Sequence, residues 1–297
     1  MPLLQLNSGN KMNETGKANV WIAAALLSVM AAATGATGLQ SAGKAGEQDL
    51  THESKNVGYL EITVLYDNNP HRRGLETAWG FSCLVRGTKK TILFDTGGDG
   101  SLLLRNMKGM GIDPRQIDLI VLSHIHGDHV GGLRSILEKN PDVAVYLPES
   151  LPGDFKEEVK GYGAKVIDVR GPLKICGHVY STGELGTLIK EQSLIVKTEK
   201  GIIVVTGCAH PGILEIIKTA KDLTKDDVLL VIGGYHLGGK SNGEIEEIVK
   251  GFRKLGVRSV GPCHCTGDRA RQSFEQEYQE NYINMGVGKV ITMERFS

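Results

Sequence analysis

One stretch of sixteen residues limits what this chain can fold into: Ile117–Gly132, reading IDLIVLSHIHGDHVGG. Its apolar half, Leu119–Leu122, has the unbroken aliphatic character of a strand buried on both faces. That strand runs directly into a turn carrying His124, His126, Asp128 and His129. Two histidines at i and i+2 on extended chain project from the same side, so both can reach one metal ion. The turn at Gly127 then brings Asp128 and His129 round toward a second ion. Imidazole and carboxylate together suit zinc, iron or manganese and do not suit calcium. Four ligand-type residues within six positions, straight after an apolar strand, argue against an ordinary polar loop.

The rest of the chain alternates strand-like and helix-like stretches, which predicts a layered α/β fold with helices covering the sheet faces. Strand candidates are Gly58–Tyr66, Phe81–Arg86, Thr91–Phe94, Leu119–Leu122, Val143–Leu147 and Lys165–Val169, then Ser193–Lys197, Ile202–Thr206, Val228–Ile232, Val257–Val260 and Lys289–Thr292. Helix candidates are Ser101–Lys108, Gly132–Lys139, Gly212–Leu223 and Glu244–Leu255; in the last two, apolar residues recur at helical spacing. Leu151–Gly177 reads as a lid, a flanking helix or an exposed amphipathic segment. One catalytic domain over residues 57–297, preceded by a polar linker at 44–56, is the simplest division.

The first 43 residues read differently. No charge occurs from Ala18 to Gly43, the apolar centre is Val20–Ala33, and Lys11 and Lys17 precede it. That pattern predicts a signal peptide, with an uncleaved membrane anchor as the alternative. Export to the periplasm or the extracellular space would follow, or a cytoplasmic chain if the start is mispredicted. Lysine plus arginine and aspartate plus glutamate balance at 34 each. No basic footprint for nucleic acid results, which leaves a small-molecule substrate as the expected partner. Five cysteines, an odd number, do not make a disulfide framework, and three of them lie close to histidines in turn-like stretches, which hints at metal or redox chemistry.

The H-x-H-x-D-H segment resembles the signature of the metallo-β-lactamase fold superfamily. The resemblance implies an αββα sandwich of two packed mixed sheets flanked by helices, a one- or two-metal site at one edge of the sheets, and further ligands from later strand ends. Three later turns place a histidine directly after a predicted strand: His210 in 207–212, His236 in 233–237 and His264 in 262–267. If those strands run parallel, all three histidines reach one end of the sheet. "TGCAHPGI", "GGYHL" and "PCHCTG", with "GFSCLV", "ILFDTG" and "EQSLIVKTEKG", narrow the resemblance over Leu60–Gly267. They resemble the branch of metal-dependent hydrolases grouped with the archaeal 7,8-dihydropterin-6-methyl-4-(β-D-ribofuranosyl)aminobenzene-5′-phosphate synthase, an enzyme associated with methanopterin biosynthesis.

By that resemblance Asp95 holds a ligand histidine in place, and His210 and His264 join His124, His126, Asp128 and His129 as ligands. Cys208 stands where much of the superfamily has a bridging aspartate; a bridging thiolate and an inert buried thiol are both open. The superfamily's usual third histidine turn has no histidine here, so the third ligand of the first metal is His210 or Glu191, with His210 the better candidate. His236 and Tyr235 are candidates for orienting substrate or contributing a proton. His52, His71 and His178 lie outside any ligand pattern.

These residues point to a hydrolase holding one or two divalent ions, zinc first with iron or manganese as alternatives. Metal-activated hydroxide would attack an ester, lactone or phosphoester, with Asp128 accepting a hydrogen bond from the attacking water. No covalent enzyme intermediate is expected. Gly98–Asp99–Gly100 and Gly233–Gly234 either let backbone approach a ligand closely or form simple turns. The alternatives are a synthase or transferase acting on a phosphorylated dihydropterin precursor, a mononuclear iron oxidoreductase, and a metal-binding module without turnover. Export would count against the synthase.

Overall fold

Successive side chains of a strand point to opposite faces, and in the central strands of this protein both faces are apolar. Leu119 and Val121 of β4 (Leu119–Val121) enter one buried cluster while Ile120 enters another. Ile203 and Val205 of β10 (Gly201–Thr206) join that first cluster, whereas Ile202 and Val204 enter a third. The shared cluster is therefore the layer between two sheets, and each outer face needs its own cover of helices.

The computed structural model describes residues 59–297. One sheet has the order β13 (Val290–Thr292), β1 (Glu61–Tyr66), β2 (Ser82–Arg86), β3 (Ile92–Phe94), β4, β5 (Ala144–Pro148) and β6 (Lys165–Val169). The other has β12 (Ser259–Cys263), β11 (Val228–Gly234), β10, β9 (Leu194–Thr198), β8 (Val179–Ser181) and β7 (Leu173–Cys176). Both mix parallel and antiparallel pairs. Helices α1 (Gly100–Gly109), α3 (Leu133–Leu137) and α4 (Gly153–Gly161) cover the first sheet through Leu103, Met107, Ile136 and Val159, and α2 (Gly127–Val130) is a single turn after His126. Helices α5 (Ile213–Thr224), α6 (Asn242–Lys254) and α7 (Asp268–Tyr278) cover the second through Ile216, Ile217, Phe252 and Phe274. The expected α/β class and αββα sandwich are what the chain forms.

Two elements depart from expectation. Leu151–Gly177 is neither a lid nor one flanking helix: it supplies α4, β6 and β7, and β7 pairs antiparallel with β8 as a hairpin. These strands, four and three residues long, show too little alternation to be read before their pairing is known. Helix α7 was also not anticipated, because its buried side is only Ala270, Phe274 and Tyr278 in an otherwise polar segment. The expected signal peptide or anchor at 1–43, the linker at 44–56 and His52 lie outside the described residues. Among the described residues no helix is long and apolar enough to cross a membrane, and Cys83, Cys176, Cys208, Cys263 and Cys265 are all free.

Strand direction decides where the chemistry collects. β3 and β4 are parallel, as are β10, β11 and β12, while β9 runs antiparallel to β10. The C-terminal ends of five strands and the approach to β9 thus meet at one edge of the sandwich. Gln192, just before β9, ties the sheets together there by donating to the carbonyls of Leu122 (2.9 Å) and Tyr146 (3.3 Å). At Gly207 the second sheet closes on the first: a Cβ there would lie 2.1 Å from Ser123 Oγ and 3.0 Å from Asp95 Oδ2. Only glycine allows that approach.

Candidate metal centre

At this edge the backbone is strained where the residues matter. Among the described residues, six that are not glycine have positive φ, and Asp95, Ala209, His236 and His264 are four of them. Such left-handed conformations cost energy for residues with a Cβ and gather at functional sites. Here they turn the chain sharply at each strand end, so that neighbouring side chains face inward.

Each of four histidines is then fixed through its Nδ1. The His124 Nδ1 meets Ser123 Oγ at 2.9 Å, His129 Nδ1 meets Asp95 Oδ2 at 2.7 Å, His210 Nδ1 meets Glu191 Oε2 at 2.9 Å, and His264 Nδ1 meets Asn68 Oδ1 at 3.1 Å. Holding one ring nitrogen this way orients the other and raises its basicity as a ligand. Two of the remaining nitrogens, His124 Nε2 and His264 Nε2, are buried without a hydrogen-bond partner among the described residues. A buried polar atom left unpaired costs about 1–3 kcal/mol, and a bound cation removes that cost. The donor set therefore fits a metal.

The ligand atoms form three adjacent groups, each within 4.8 Å across: His124, His126 and His210; Asp128, His129, Cys208 and His264; and Cys208, His236 and Cys265. In the second group His129 Nε2 stands 3.2 Å from Cys208 Sγ, and Asp128 Oδ2 lies 3.6 Å from His129 Nε2 and 3.3 Å from His264 Nε2. The structure thus brings His210, and not Glu191, into the group with His124 and His126. Glu191 sits behind them, fully buried, accepting from the backbone N–H groups of Cys208 (2.8 Å), Ala209 (2.9 Å) and His210 (2.9 Å).

Electrostatics follow burial. Loss of solvent pushes His124 down to about 2, helped by the neighbouring imidazoles, so its ring is neutral. Burial works against charge on Asp128, but His264 and His129 outweigh it and hold the carboxyl below the usual range. For Cys265 the Cys208 thiol and His236 outweigh burial, favouring thiolate on Cys265 and thiol on Cys208, and His236 is raised by its contact with Cys265.

Sequence reasoning missed Ser123 and Asn68, and gave Cys265 no role beyond a hint of metal or redox chemistry. Cys265 had a signal, since it adjoins His264 in "PCHCTG"; Asn68 lies 196 positions from its partner and had none. One expectation is corrected, and one left open is decided. Tyr235 does not face the centre: it is 1 % exposed, packs between Phe252 and Phe274, and donates its hydroxyl to the Val231 carbonyl. The glycines of 98–100 and 233–234 chiefly serve internal packing. Asp99 caps α1, a Cβ on Gly100 would strike Ser135, and one on Gly233 would lie 2.0 Å from the Thr206 carbonyl oxygen.

The metallo-beta-lactamase superfamily pattern matches residues 80–217. The 7,8-dihydropterin-6-methyl-4-(β-D-ribofuranosyl)-aminobenzene-5′-phosphate synthase of Methanocaldococcus jannaschii is 31 % identical over 289 residues, covering 80 % of this chain and 98 % of that protein. The crystal structure of Tm1679, described as a metal-dependent hydrolase of the β-lactamase superfamily, superposes with a TM-score of 0.69 at 31 % identity, covering 78 % of this chain and 98 % of that one. Ribonuclease Z of Nanoarchaeum equitans is 33 % identical over 100 residues, only 30 % of its length. The expected hydrolysis of an ester, lactone or phosphoester is corrected by the first of these. A relative matched along nearly all its length is a synthase, the ribonuclease match is partial, and the description of Tm1679 names no substrate. From its fold and its full-length relatives, the chain is an enzyme that belongs to the metallo-β-lactamase superfamily.

Proposed function

We propose that the protein is a synthase or transferase acting on a phosphorylated dihydropterin precursor, with phosphate or diphosphate as leaving group. The observation that carries this reading is the 31 % identity to the M. jannaschii synthase across 98 % of that enzyme. The product in that enzyme's name joins a dihydropterin-6-methyl group to an aminobenzene. An arylamine displacing phosphate or diphosphate from the 6-methylene carbon makes such a bond.

His124, His126 and His210 would hold one divalent ion, and Asp128, His129, Cys208 and His264 a second. Zinc is favoured because imidazole and thiol donors dominate. Cations bound there would draw charge from the phosphate oxygens and so ease departure of the leaving group. The chain's own side chains do the rest. Asp95, Glu191, Ser123 and Asn68 keep the imidazoles aimed. Asp128 stays ionised, and exposed His236, whose contact with Cys265 favours its protonated form, would donate a proton to the departing phosphate oxygen. The arylamine nitrogen bonds to the methylene carbon as the C–O bond breaks. The electron pair leaves with the phosphate, and the amine proton passes to solvent.

The test supplies the full chain, loaded with zinc, with (7,8-dihydropterin-6-yl)methyl diphosphate and 4-(β-D-ribofuranosyl)aminobenzene 5′-phosphate. Mass spectrometry should find the joined product together with released diphosphate. Phosphate release with no joined product, or no turnover at all, would refute the reading. The uncharged N-terminal segment bears on it independently, because a chain cleaved there and exported would sit apart from cofactor assembly in the cytoplasm. Intact mass and cell fractionation measure that.

A further inference from the structure

Among the described residues the large apolar side chains left exposed are Tyr59, Trp79, Leu188 and Val290. Single exposed apolar residues are ordinary on a protein surface. Trp79 differs in where it is held. Its indole rests against the His264 imidazole, ring centroids 4.8 Å apart and planes inclined at 52°, while 60 % of the residue stays open to solvent.

The backbone on both sides of Trp79 is tied to the centre. The Ala78 N–H donates to the Asp67 carbonyl and the Phe81 N–H to the Asp128 carbonyl, each at 3.3 Å. Gly80 makes this approach possible, since a Cβ there would lie 2.5 Å from the Asp128 oxygen. The loop between β1 and β2 also reaches His264 a second time, through Asn68, whose amide donates to the His264 carbonyl at 3.3 Å. A large aromatic surface is thus fixed next to the ligand cluster and left uncovered. Trp offers much apolar area with few rotatable bonds, so little ordering entropy is lost when a flat ligand covers it.

We infer that Trp79 is the stacking platform for a planar heterocycle of the substrate, with its phosphates directed to the centre beside His264. This inference rests on the synthase reading only for the identity of the ring, a dihydropterin. In a pterin-6-methyl diphosphate only one carbon and one oxygen separate ring from phosphorus, so a ring stacked on Trp79 leaves the phosphates next to the ligand cluster.

The chain has two tryptophans, Trp21 and Trp79, so a full-length Trp21→Phe variant reports Trp79 emission alone. Pterin-6-carboxylate, 4-aminobenzoate and adenosine are titrated separately into it, and calorimetry repeats each titration on added Trp79→Ala and Trp79→Phe substitutions. Metal content, measured alongside, confirms that each variant keeps its centre. The expected result is quenching by the pterin, binding weakened about 10- to 100-fold in Trp79→Ala, and recovery to within about threefold in Trp79→Phe. Pterin binding unchanged in Trp79→Ala overturns the inference and leaves the synthase reading standing. Quenching by adenosine or 4-aminobenzoate without any by the pterin upholds the platform and removes the pterin. Absence of quenching by all three overturns the platform.

Discussion

Glu191 is where a single atom change should reveal how the centre is held. Its Oε1 accepts from Cys208 N and Ala209 N, and its Oε2 from His210 N, with His210 Nδ1 also at 2.9 Å. Glu191→Gln keeps the shape and one oxygen but turns an NH2 toward the His210 N–H, leaving at least one inward-facing donor unpaired at about 1–3 kcal/mol. A second route gives a similar size. Burial alone would raise the Glu191 carboxyl, yet the hydrogen bond from His210, the facing His124 and the backbone donors bring it down to about 2 from 4.5. At about 1.4 kcal/mol per tenfold change in proton affinity, that is worth about 3 kcal/mol. Because the folded value is depressed, this stability is whole above pH 4.5 and lost as pH falls toward 2. Metal-free Glu191→Gln should therefore be about 2–4 kcal/mol less stable at pH 7, lowering the melting temperature by roughly 4–16 °C for a domain of this size. Zinc affinity should fall about 10- to 100-fold through His210. Urea unfolding and a competitive chelator titration measure the two effects. A loss below about 0.5 kcal/mol with unchanged zinc affinity would refute the argument that Glu191 organises the 208–210 turn.

Three further perturbations follow from contacts elsewhere. Gly207→Ala should cost at least about 1–3 kcal/mol by pressing its methyl into Ser123, and Ser123→Gly should recover part of it; additive unfolding free energies in the double-mutant cycle would show that the two do not clash. Ser241 and Glu244 form a capping box at the start of α6, so Ser241→Ala should cost about 1 kcal/mol by urea unfolding. The Ser241 backbone N–H, then Lys240 and the Ser241 hydroxyl, hold Glu244 down to about 2; its contribution is complete above pH 4.5 and lost as pH falls toward 2, and an unchanged difference between wild type and Glu244→Gln from pH 6 to pH 2.5 would refute this.

Local chemistry made much of this protein legible from its sequence. Apolar strands ending in His124, His210 or His264 declare themselves because a buried strand needs unbroken hydrophobic residues and a metal needs imidazole or carboxylate, and both demands are met by neighbours in the chain. The family resemblance added Asp95, whose contact with His129 spans 34 positions. What the sequence left open depends on distance in space. Whether Glu191 was a ligand or a support turned on the antiparallel pairing of β9 with β10, which sets its carboxylate under the 208–210 backbone. Tyr235 and His236 are adjacent, yet one is sealed in the core and the other stands exposed, because at the end of a strand successive residues take opposite faces. Asn68 and Trp79 both reach His264 from the loop between β1 and β2, where Gly80 passes close to Asp128. The sequence alone determined the ligand types and the layered architecture, because composition and spacing act within a few residues. Tertiary structure decided which nitrogen each histidine offers, which side chains hold it and what borders the centre, because hydrogen bonds and packing join residues the chain keeps far apart.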